Sequence, residues 1–307
     1  MKIQANGLTL EVDDQGPRDG EPLLLIMGLG MQLVAWPQEL VDDLVARGFR
    51  VMRMDNRDIG LSQDFDHAGM PNLVLAALRH TLHLSVRSPY RLKDMADDAA
   101  GVLSALGVDR AHVCGASMGG MVAQHLAVWH PERLRSLTLI MTSSGARSLP
   151  LARPAVRRAL LSRPQGSDVA AIVAHLERLL QLIGSPAFRP EPARQRERLE
   201  AAVRRSWHPQ GTARQLMAII ADGDRSAMLP RIAAATRVIH GQDDPLVPVP
   251  AAHDLVAKIK GAVPEIIPGM GHDLPLQLLP TLAAGIAENA LRWPGAVLRP
   301  ATQQARR

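Results

Sequence analysis

A serine inside a glycine-rich turn is the strongest candidate for chemistry in this sequence. Ser117 lies in the run Cys114-Gly115-Ala116-Ser117-Met118-Gly119-Gly120. The apolar run 111–114 before it predicts a buried strand, and the amphipathic run 118–130 after it predicts a helix. A Gly-x-Ser-x-Gly motif between a strand and a helix is typical of a tight turn that exposes the serine hydroxyl above a sheet edge. The same turn directs the backbone N–H of Met118 at the position where an oxyanion would form.

A serine hydroxyl is a weak nucleophile, and it needs a base that takes its proton. His272 follows the last predicted strand, in the loop Gly269-Met270-Gly271-His272-Asp273. Any one of the 11 histidines could serve a structural role, but this position after the final strand lets the ring reach the sheet edge. We therefore predict that His272 is the base.

The imidazole in turn needs a carboxylate that fixes its tautomer and stabilises the imidazolium. Asp244 lies in His240-Gly241-Gln242-Asp243-Asp244-Pro245, which follows another predicted strand. Its neighbour Asp243 is a competing candidate, because spacing alone does not separate the two. The order serine, aspartate, histidine along the chain is the order found in α/β-hydrolases.

A second oxyanion donor is expected from a glycine-rich loop after an early strand. Gly28-Leu29-Gly30 fits this position, with the backbone N–H of Leu29 as the predicted donor. The dinucleotide fingerprint would need glycine at position 33, where Leu33 stands. His80 and His83 are one helical turn apart without further ligands nearby in the sequence. The sequence therefore predicts no bound cofactor and no metal.

The elements that must position these residues alternate between strands and helices. Strands are predicted near residues 3–5, 8–12, 22–27, 50–54, 111–114, 134–141, 237–240 and 262–267. This alternation predicts an α/β fold with a mostly parallel central sheet flanked by helices. Strand signals stop between 147 and 230, which predicts a helical insertion. We expect a core of 1–146 and 231–293, a helical cap of 147–230 and a mobile tail of 294–307.

Composition narrows the class of protein further. The chain has 307 residues, of which 47% are hydrophobic and 21% charged, as in a globular protein with a sizeable core. A single cysteine, Cys114, allows no internal disulfide and fits a reducing compartment. The sequence shows no signal peptide and no run long enough to span a membrane, so a cytoplasmic location is expected.

The positive charge is concentrated in one segment. Residues 147–231 hold 15 arginines against 7 acidic residues, a net of +8, whereas the whole chain carries +5. Interleaved aromatic residues are lacking, and many acids lie at helical spacing from arginines. We therefore interpret the segment as a solvated helical face and expect neither a nucleic acid nor a membrane as partner.

Over residues 3 to about 293, the chain resembles the α/β-hydrolase fold serine hydrolases. The matching pieces are the Ser117 motif, Gly269-Met270-Gly271-His272, Asp55-Asn56-Arg57-Asp58-Ile59-Gly60-Leu61-Ser62 and His240-Gly241-Gln242-Asp243-Asp244-Pro245-Leu246-Val247-Pro248. The resemblance implies Ser117 as nucleophile, Asp244 as acid, His272 as base, and Leu29 and Met118 as oxyanion donors. It also implies that 147–230 is a cap and that the Arg57 motif braces the loop beside the oxyanion turn.

Two departures from the common pattern point to one branch of that family. Met27 stands where histidine usually precedes the glycine, and Asp58 stands where glycine is usual. Both are similar to the aclacinomycin methylesterase-like branch, whose members hydrolyse polyketide methyl esters. The leading hypothesis is a serine esterase that acts on a mainly apolar, small-to-medium ester. The alternatives are a carbon–carbon bond hydrolase or perhydrolase with the same triad, and a non-catalytic hydrolase-fold binding protein.

Overall fold

The computed structural model, which describes residues 1–298, contains one central sheet of eight strands. Its strands, in chain order, are β1 Lys2–Ala5, β2 Leu8–Gln15, β3 Glu21–Ile26, β4 Phe49–Met54, β5 Ala111–Ala116, β6 Leu134–Ile140, β7 Ala235–Gly241 and β8 Val263–Ile267. The spatial order is β1-β2-β4-β3-β5-β6-β7-β8. Strands β3 to β8 pair in parallel, whereas β2 pairs antiparallel with both β1 and β4. The predicted mostly parallel α/β sheet is confirmed.

Helices cover both faces of the sheet. They are α1 Gln38–Ala46, α2 Leu73–Thr81, α3 Leu92–Ala105, α4 Met118–Trp129, α5 Pro154–Leu160, α6 Val169–Ile183, α7 Pro192–Arg205, α8 Pro209–Asp222, α9 Pro250–Lys258 and α10 Leu279–Ala290. Helices α3, α4 and α9 contribute to one apolar core, and α1 and α10 contribute to the core on the opposite face.

The residues of β3 show how one strand serves both cores. Leu24 and Ile26 belong to the core under α3 and α4, whereas Leu23 and Leu25 belong to the core under α1 and α10. Successive side chains of a strand point to opposite faces, so a continuous apolar run is what a strand covered on both sides requires.

Proline lies at the start of two helices. A 3-10 turn, Leu276–Leu278, precedes α10, which starts at Leu279. Pro280 lies in the first turn of α10, where its missing N–H costs no helical hydrogen bond. Helix α8 likewise has Pro209 as its first residue.

Between β6 and β7 the described chain forms α5 to α8 and no strand. The division into core, cap and tail remains a prediction. Of the tail from 294, residues 299–307 lie outside the described residues, while the Val297 N–H donates to Glu21 Oε1 at 3.2 Å. None of the helices within residues 1–298 combines the length and apolar character needed to cross a bilayer.

Candidate active site

Ser117 occupies a strained turn between β5 and α4. Its φ of 53° and ψ of −120° place a non-glycine residue in a sparsely populated backbone region, as a nucleophile elbow requires. Its backbone N–H donates to the Ile140 carbonyl at 2.9 Å, which fixes the turn to the end of β6. Gly119 permits the close approach of the end of β3, because a Cβ there would lie 2.0 Å from the Ile26 carbonyl oxygen.

The structure brings Ser117, His272 and Asp244 into one hydrogen-bonded line. His272 Nε2 lies 3.0 Å from Ser117 Oγ, and His272 Nδ1 lies 2.7 Å from Asp244 Oδ2. His272 and Asp244 are buried, whereas Ser117 is half-buried. With Nδ1–H donating to the carboxylate, the lone pair of Nε2 faces the serine hydroxyl. This geometry allows the ring to take the proton of the hydroxyl.

The carboxylate of Asp244 is held by its own loop. Its Oδ1 accepts the backbone N–H groups of Leu246 and Val247, each at 2.8 Å, which leaves Oδ2 for His272. The adjacent Asp243 is exposed, and its Oδ2 accepts the Gly269 N–H at 2.9 Å. Of the two aspartates that the sequence left open, the structure therefore places Asp244 against the imidazole.

A second histidine beside the carboxylate is held as a neutral ring. His240 Nε2 lies 3.6 Å from Asp244 Oδ2, but its N–H donates to the Val247 carbonyl at 2.7 Å. Burial lowers the pKa of His240 below its ordinary value, and the nearby Asp244 charge only partly offsets this. His272 is therefore the ring that the Asp244 carboxylate orients.

The loop of His272 is tied to the carboxyl-terminal end of α6. The His272 backbone N–H donates to the Ile183 carbonyl at 2.7 Å, and the Gly271 N–H donates to Ser185 Oγ at 2.9 Å. Asp273 accepts the Ser185 N–H at 3.0 Å. Burial raises the pKa of the Asp273 carboxyl, against the opposing effect of the Ser185 hydrogen bonds. Sequence reasoning missed this brace, although Asp273 directly follows the predicted base.

The two predicted oxyanion donors border the serine. A Cβ added to Gly28 would lie 3.1 Å from Ser117 Cβ, so the loop that carries Leu29 lies directly against Ser117. Met118 is the first residue of α4, where the helix dipole favours negative charge. Within residues 1–298, neither the Leu29 nor the Met118 N–H has a hydrogen-bond acceptor. Both amides are thus free to donate to a substrate oxygen.

Helix α8 holds the loop that carries Leu29. The Gly30 N–H donates to Gln215 Oε1 at 2.9 Å, and Gln215 Nε2 donates to the Arg57 carbonyl at 2.9 Å. Arg214 donates to both oxygens of Asp58 at 2.6 and 2.7 Å, and all of these side chains except Arg57's are fully buried. The only sequence signal for this link was Asp58, the departure from the family pattern.

The Arg57 motif lies beside the same loop. Arg57 forms a bidentate ion pair with Asp98 at 2.6 Å, and Asn56 Nδ2 donates to the Met27 carbonyl at 2.8 Å. Asp55 accepts the Leu33 N–H at 2.7 Å and the Arg205 guanidinium at 2.8 Å. These contacts connect the 55–62 loop to residues 27–33 and to the end of α7.

A further cluster of possible metal ligands is satisfied by protein atoms. Asp58, Asp66 and His208 place one ligand atom each within 4.8 Å of one another. Arg214 donates to both carboxylates, and His208 lies 2.9 Å from Asp66 Oδ1. A guanidinium already supplies the positive charge that a cation would bring.

Ser117 does not line either of two cavities in the described part of the chain. A cavity of about 70 Å³ borders Gly30 and Met31 and is lined by side chains of the helical segment, including Leu176, Leu199 and Val203. A larger cavity of about 460 Å³ lies between Ser104 and Arg133, before β5 and β6 begin. Ligands of parallel sheets bind at the carboxyl ends of the strands, and the aligned Ser117, His272 and Asp244 side chains lie at that edge.

The chain belongs to the α/β-hydrolase family, because the sequence model of the family described as "alpha/beta hydrolase fold" matches residues 21–277. It is 32% identical over 305 residues to the rhodomycin D methylesterase DnrP of Streptomyces peucetius, covering 92% of this chain and 95% of that protein. A 2-hydroxymuconate semialdehyde hydrolase of a Pseudomonas species is 28% identical, covering 88% and 86%. The esterase EaEST from Exiguobacterium antarcticum has the same fold, with a TM-score of 0.73 at 20% identity over 95% of this chain and 99% of that one.

Proposed function

We propose that this protein is a serine hydrolase of carboxylic esters. In this proposal Ser117 is the nucleophile, His272 the general base and acid, and Asp244 the carboxylate that orients the imidazole. The observation that carries the proposal is the line from Asp244 Oδ2 to His272 Nδ1 at 2.7 Å and from His272 Nε2 to Ser117 Oγ at 3.0 Å.

The first half of the reaction makes an acyl-enzyme. Ser117 Oγ attacks the ester carbonyl carbon while its proton moves to His272 Nε2. The carbonyl oxygen becomes negatively charged and accepts hydrogen bonds from the Leu29 and Met118 amides. Loss of one such donor typically costs about 3 kcal/mol in the barrier. When the carbon–oxygen bond to the alcohol breaks, the leaving oxygen takes the proton from His272.

The second half releases the acid. His272 takes a proton from water, the resulting hydroxide attacks the acyl carbon, and the bond to Ser117 Oγ breaks. The proton then returns from His272 to Ser117 Oγ, which restores the resting enzyme. Asp244 stabilises the imidazolium in both halves and does not itself take the proton.

The substrate we propose is a mainly apolar, small-to-medium ester. Leucine and valine side chains line the cavity beside the oxyanion loop. Relatives such as DnrP are named methylesterases, which makes methyl esters the first alcohol group to test. The absence of disulfides, with the single Cys114 buried, supports a proposed cytoplasmic location.

A carbon–carbon bond hydrolase is the second candidate, because relatives with that activity in their names match most of the chain. Such an enzyme would need cationic groups for an acidic dienol substrate. The arginines of the helical segment that are not exposed, however, already pair with internal carboxylates: half-buried Arg205 with Asp55, and buried Arg214 and Arg225 with Asp58 and Asp222, respectively. This pairing favours the ester.

Replacement of the nucleophile tests the proposal. We expect Ser117→Ala to lower kcat on p-nitrophenyl and methyl esters by roughly 10⁴–10⁶-fold. The exposed Ser148→Ala is the matched control and should keep full activity. A fluorophosphonate probe should label the wild type and Ser148→Ala but not Ser117→Ala. If Ser117→Ala keeps a tenth or so of the esterase rate, or if the wild type is not labelled, the assignment is wrong.

A further inference from the structure

An outer surface formed by residues 69–90 and 145–167, here called the basic apolar face, has an unusual composition. The two segments contain no aspartate or glutamate. They contain seven arginines, at positions 79, 87, 147, 153, 157, 158 and 163. All seven are exposed except Arg79, which is half-buried. The face therefore carries positive charge only.

Helix α2 turns its apolar side outward. Val74, Leu75, Leu78 and Leu82 are 83%, 50%, 55% and 58% exposed, respectively. At about 100° per residue, these four positions fall within an arc of roughly 100° on the helix surface. Ala76 is the residue that α2 buries, on the side that packs towards α8. If packing within the fold alone determined the orientation of α2, these apolar side chains would face inward. Their exposure therefore points to a binding partner outside the fold.

The two segments are continuous with each other and lie beside the candidate active site. Arg147 Nη1 lies 3.3 Å from His83 Nε2, which joins the segments directly. The Arg153 N–H donates to the Pro245 carbonyl at 3.0 Å, next to Asp244. Leu151 and Leu161, 72% and 65% exposed, add apolar surface on the second segment. The face thus adjoins the carboxyl edge of the sheet.

The arginines of this face lack acidic partners, unlike others in the helical region. Within residues 1–298, none of the seven has a carboxylate oxygen within 4.0 Å. On α7, by contrast, Arg194 pairs with Glu39, and Arg196 pairs with Glu177 and Glu200. The sequence predicted a solvated helical face whose arginines pair with nearby acids. Helix α7 has such pairs, whereas the basic apolar face does not.

We propose that the basic apolar face docks on an anionic phospholipid bilayer. The apolar side chains of α2 would enter the boundary between head groups and acyl chains, and the arginines would bind lipid phosphates. A second copy of this chain is a poorer partner, because two such faces would repel each other. The tail 299–307, with three arginines and no acid, is also of like charge. Docking would bring the Ser117 edge to esters dissolved in the membrane.

Flotation with lipid vesicles tests the proposal. We expect the wild type to float with vesicles of phosphatidylcholine and phosphatidylglycerol at about a 3:1 ratio, and not with phosphatidylcholine alone. Arg157→Gln combined with Arg158→Gln should weaken binding by about 30-fold, because each arginine near an anionic surface contributes about fivefold. Leu78→Gln combined with Leu82→Gln should weaken it at least tenfold at the same net charge.

Controls separate this proposal from its alternatives and from the catalytic proposal. Arg18→Gln combined with Arg110→Gln removes the same charge at the opposite, amino-terminal edge of the sheet, and should bind like the wild type. Ser117→Ala should also bind normally, so failure of the esterase assignment leaves this test intact. Equal loss in both arginine pairs, or no effect of the leucine pair, would overturn docking in favour of general charge attraction. A dimer in sedimentation equilibrium that the leucine pair abolishes would overturn it in favour of self-association.

Discussion

At the scale of single residues, two adjacent aspartates show how position decides role. Asp244 is 5% exposed and lies 2.7 Å from the His272 ring, whereas Asp243 is exposed and accepts the backbone N–H of Gly269. Their side chains leave the chain in different directions, so only one can reach the imidazole. A sequence pattern that contains both cannot separate them, because the direction depends on the turn before Pro245.

This difference predicts unequal effects of two matched substitutions. Asp244→Asn should lower kcat by about 10⁴-fold, because the amide no longer fixes the tautomer with Nε2 facing Ser117. Asp243→Asn removes the same charge one residue away and should change kcat by less than about threefold. Steady-state kinetics of both variants on one ester, with circular dichroism to check folding, provides the measurement. Similar losses in the two variants would contradict the assigned geometry.

At the scale of elements, helix α8 and the loops it contacts form a buried polar network. Arg214 and Asp58 are both fully buried, and Tyr90 donates to Asp58 Oδ2 at 2.8 Å. Burial alone would raise the pKa of the Asp58 carboxyl, but the hydrogen bonds from Arg214 and Tyr90 outweigh it and lower that pKa. The next residue of α8, Gln215, accepts the Gly30 N–H. The helical segment and the loop that carries Leu29 are therefore linked.

Removal of one partner of this pair should destabilise the protein. Arg214→Met leaves the Asp58 carboxylate buried without its cation, and such a change costs about 3–5 kcal/mol of unfolding free energy. Arg194→Met is the control, because its pair with Glu39 is exposed and should cost less than about 1 kcal/mol.

Urea unfolding of both variants measures the costs. Adding Asp58→Gly to Arg214→Met should restore most of the loss, since no unpaired charge remains and the positive φ of 72° at position 58 suits glycine. A double variant as unstable as Arg214→Met would show that the pair contributes little through its charges.

The sequence predicts the elements of this fold better than it predicts their contacts. The strands near 22–27 and 111–114 and the helix after Ser117 follow from local periodicity, because each buries a continuous or amphipathic run. The links from Gln215 to Gly30 and from Arg205 to Asp55 span 185 and 150 residues along the chain. Nothing in the local pattern marks Gln215 or Arg205, since polar helix residues usually face water.

At the scale of the whole molecule, the parallel sheet separates two edges with different properties. The carboxyl edge carries the aligned Ser117, His272 and Asp244 side chains and adjoins the basic apolar face. The amino edge carries the buried His112 near the start of β5 and the half-buried Glu21 at the start of β3. Chemistry and docking are proposed at one edge, so substitutions at the other should affect stability without affecting activity.

His112 at the amino edge makes stability depend on pH. Its Nδ1 lies 2.8 Å from Ser136 Oγ. Burial, together with the Arg135 charge, lowers the pKa of His112 to about 4, with Glu21 acting in the opposite direction. The unfolded chain takes up the proton near its ordinary pKa of about 6.5, before the folded chain does. Unfolding therefore becomes easier as pH falls through the window from about 6.5 to 4, by up to about 3 kcal/mol.

We expect His112→Asn to flatten this dependence, because an amide can keep a hydrogen bond to Ser136 but takes no proton. Urea unfolding at several pH values across the window gives the slope, and the exposed His67→Asn should leave it as in the wild type. The esterase rate per folded molecule at neutral pH should be unchanged in His112→Asn. The side chain lies near the start of β5, and its ring nitrogens contact Ser136 and Glu21 instead of the aligned residues. An unchanged slope would assign the acid sensitivity to other groups.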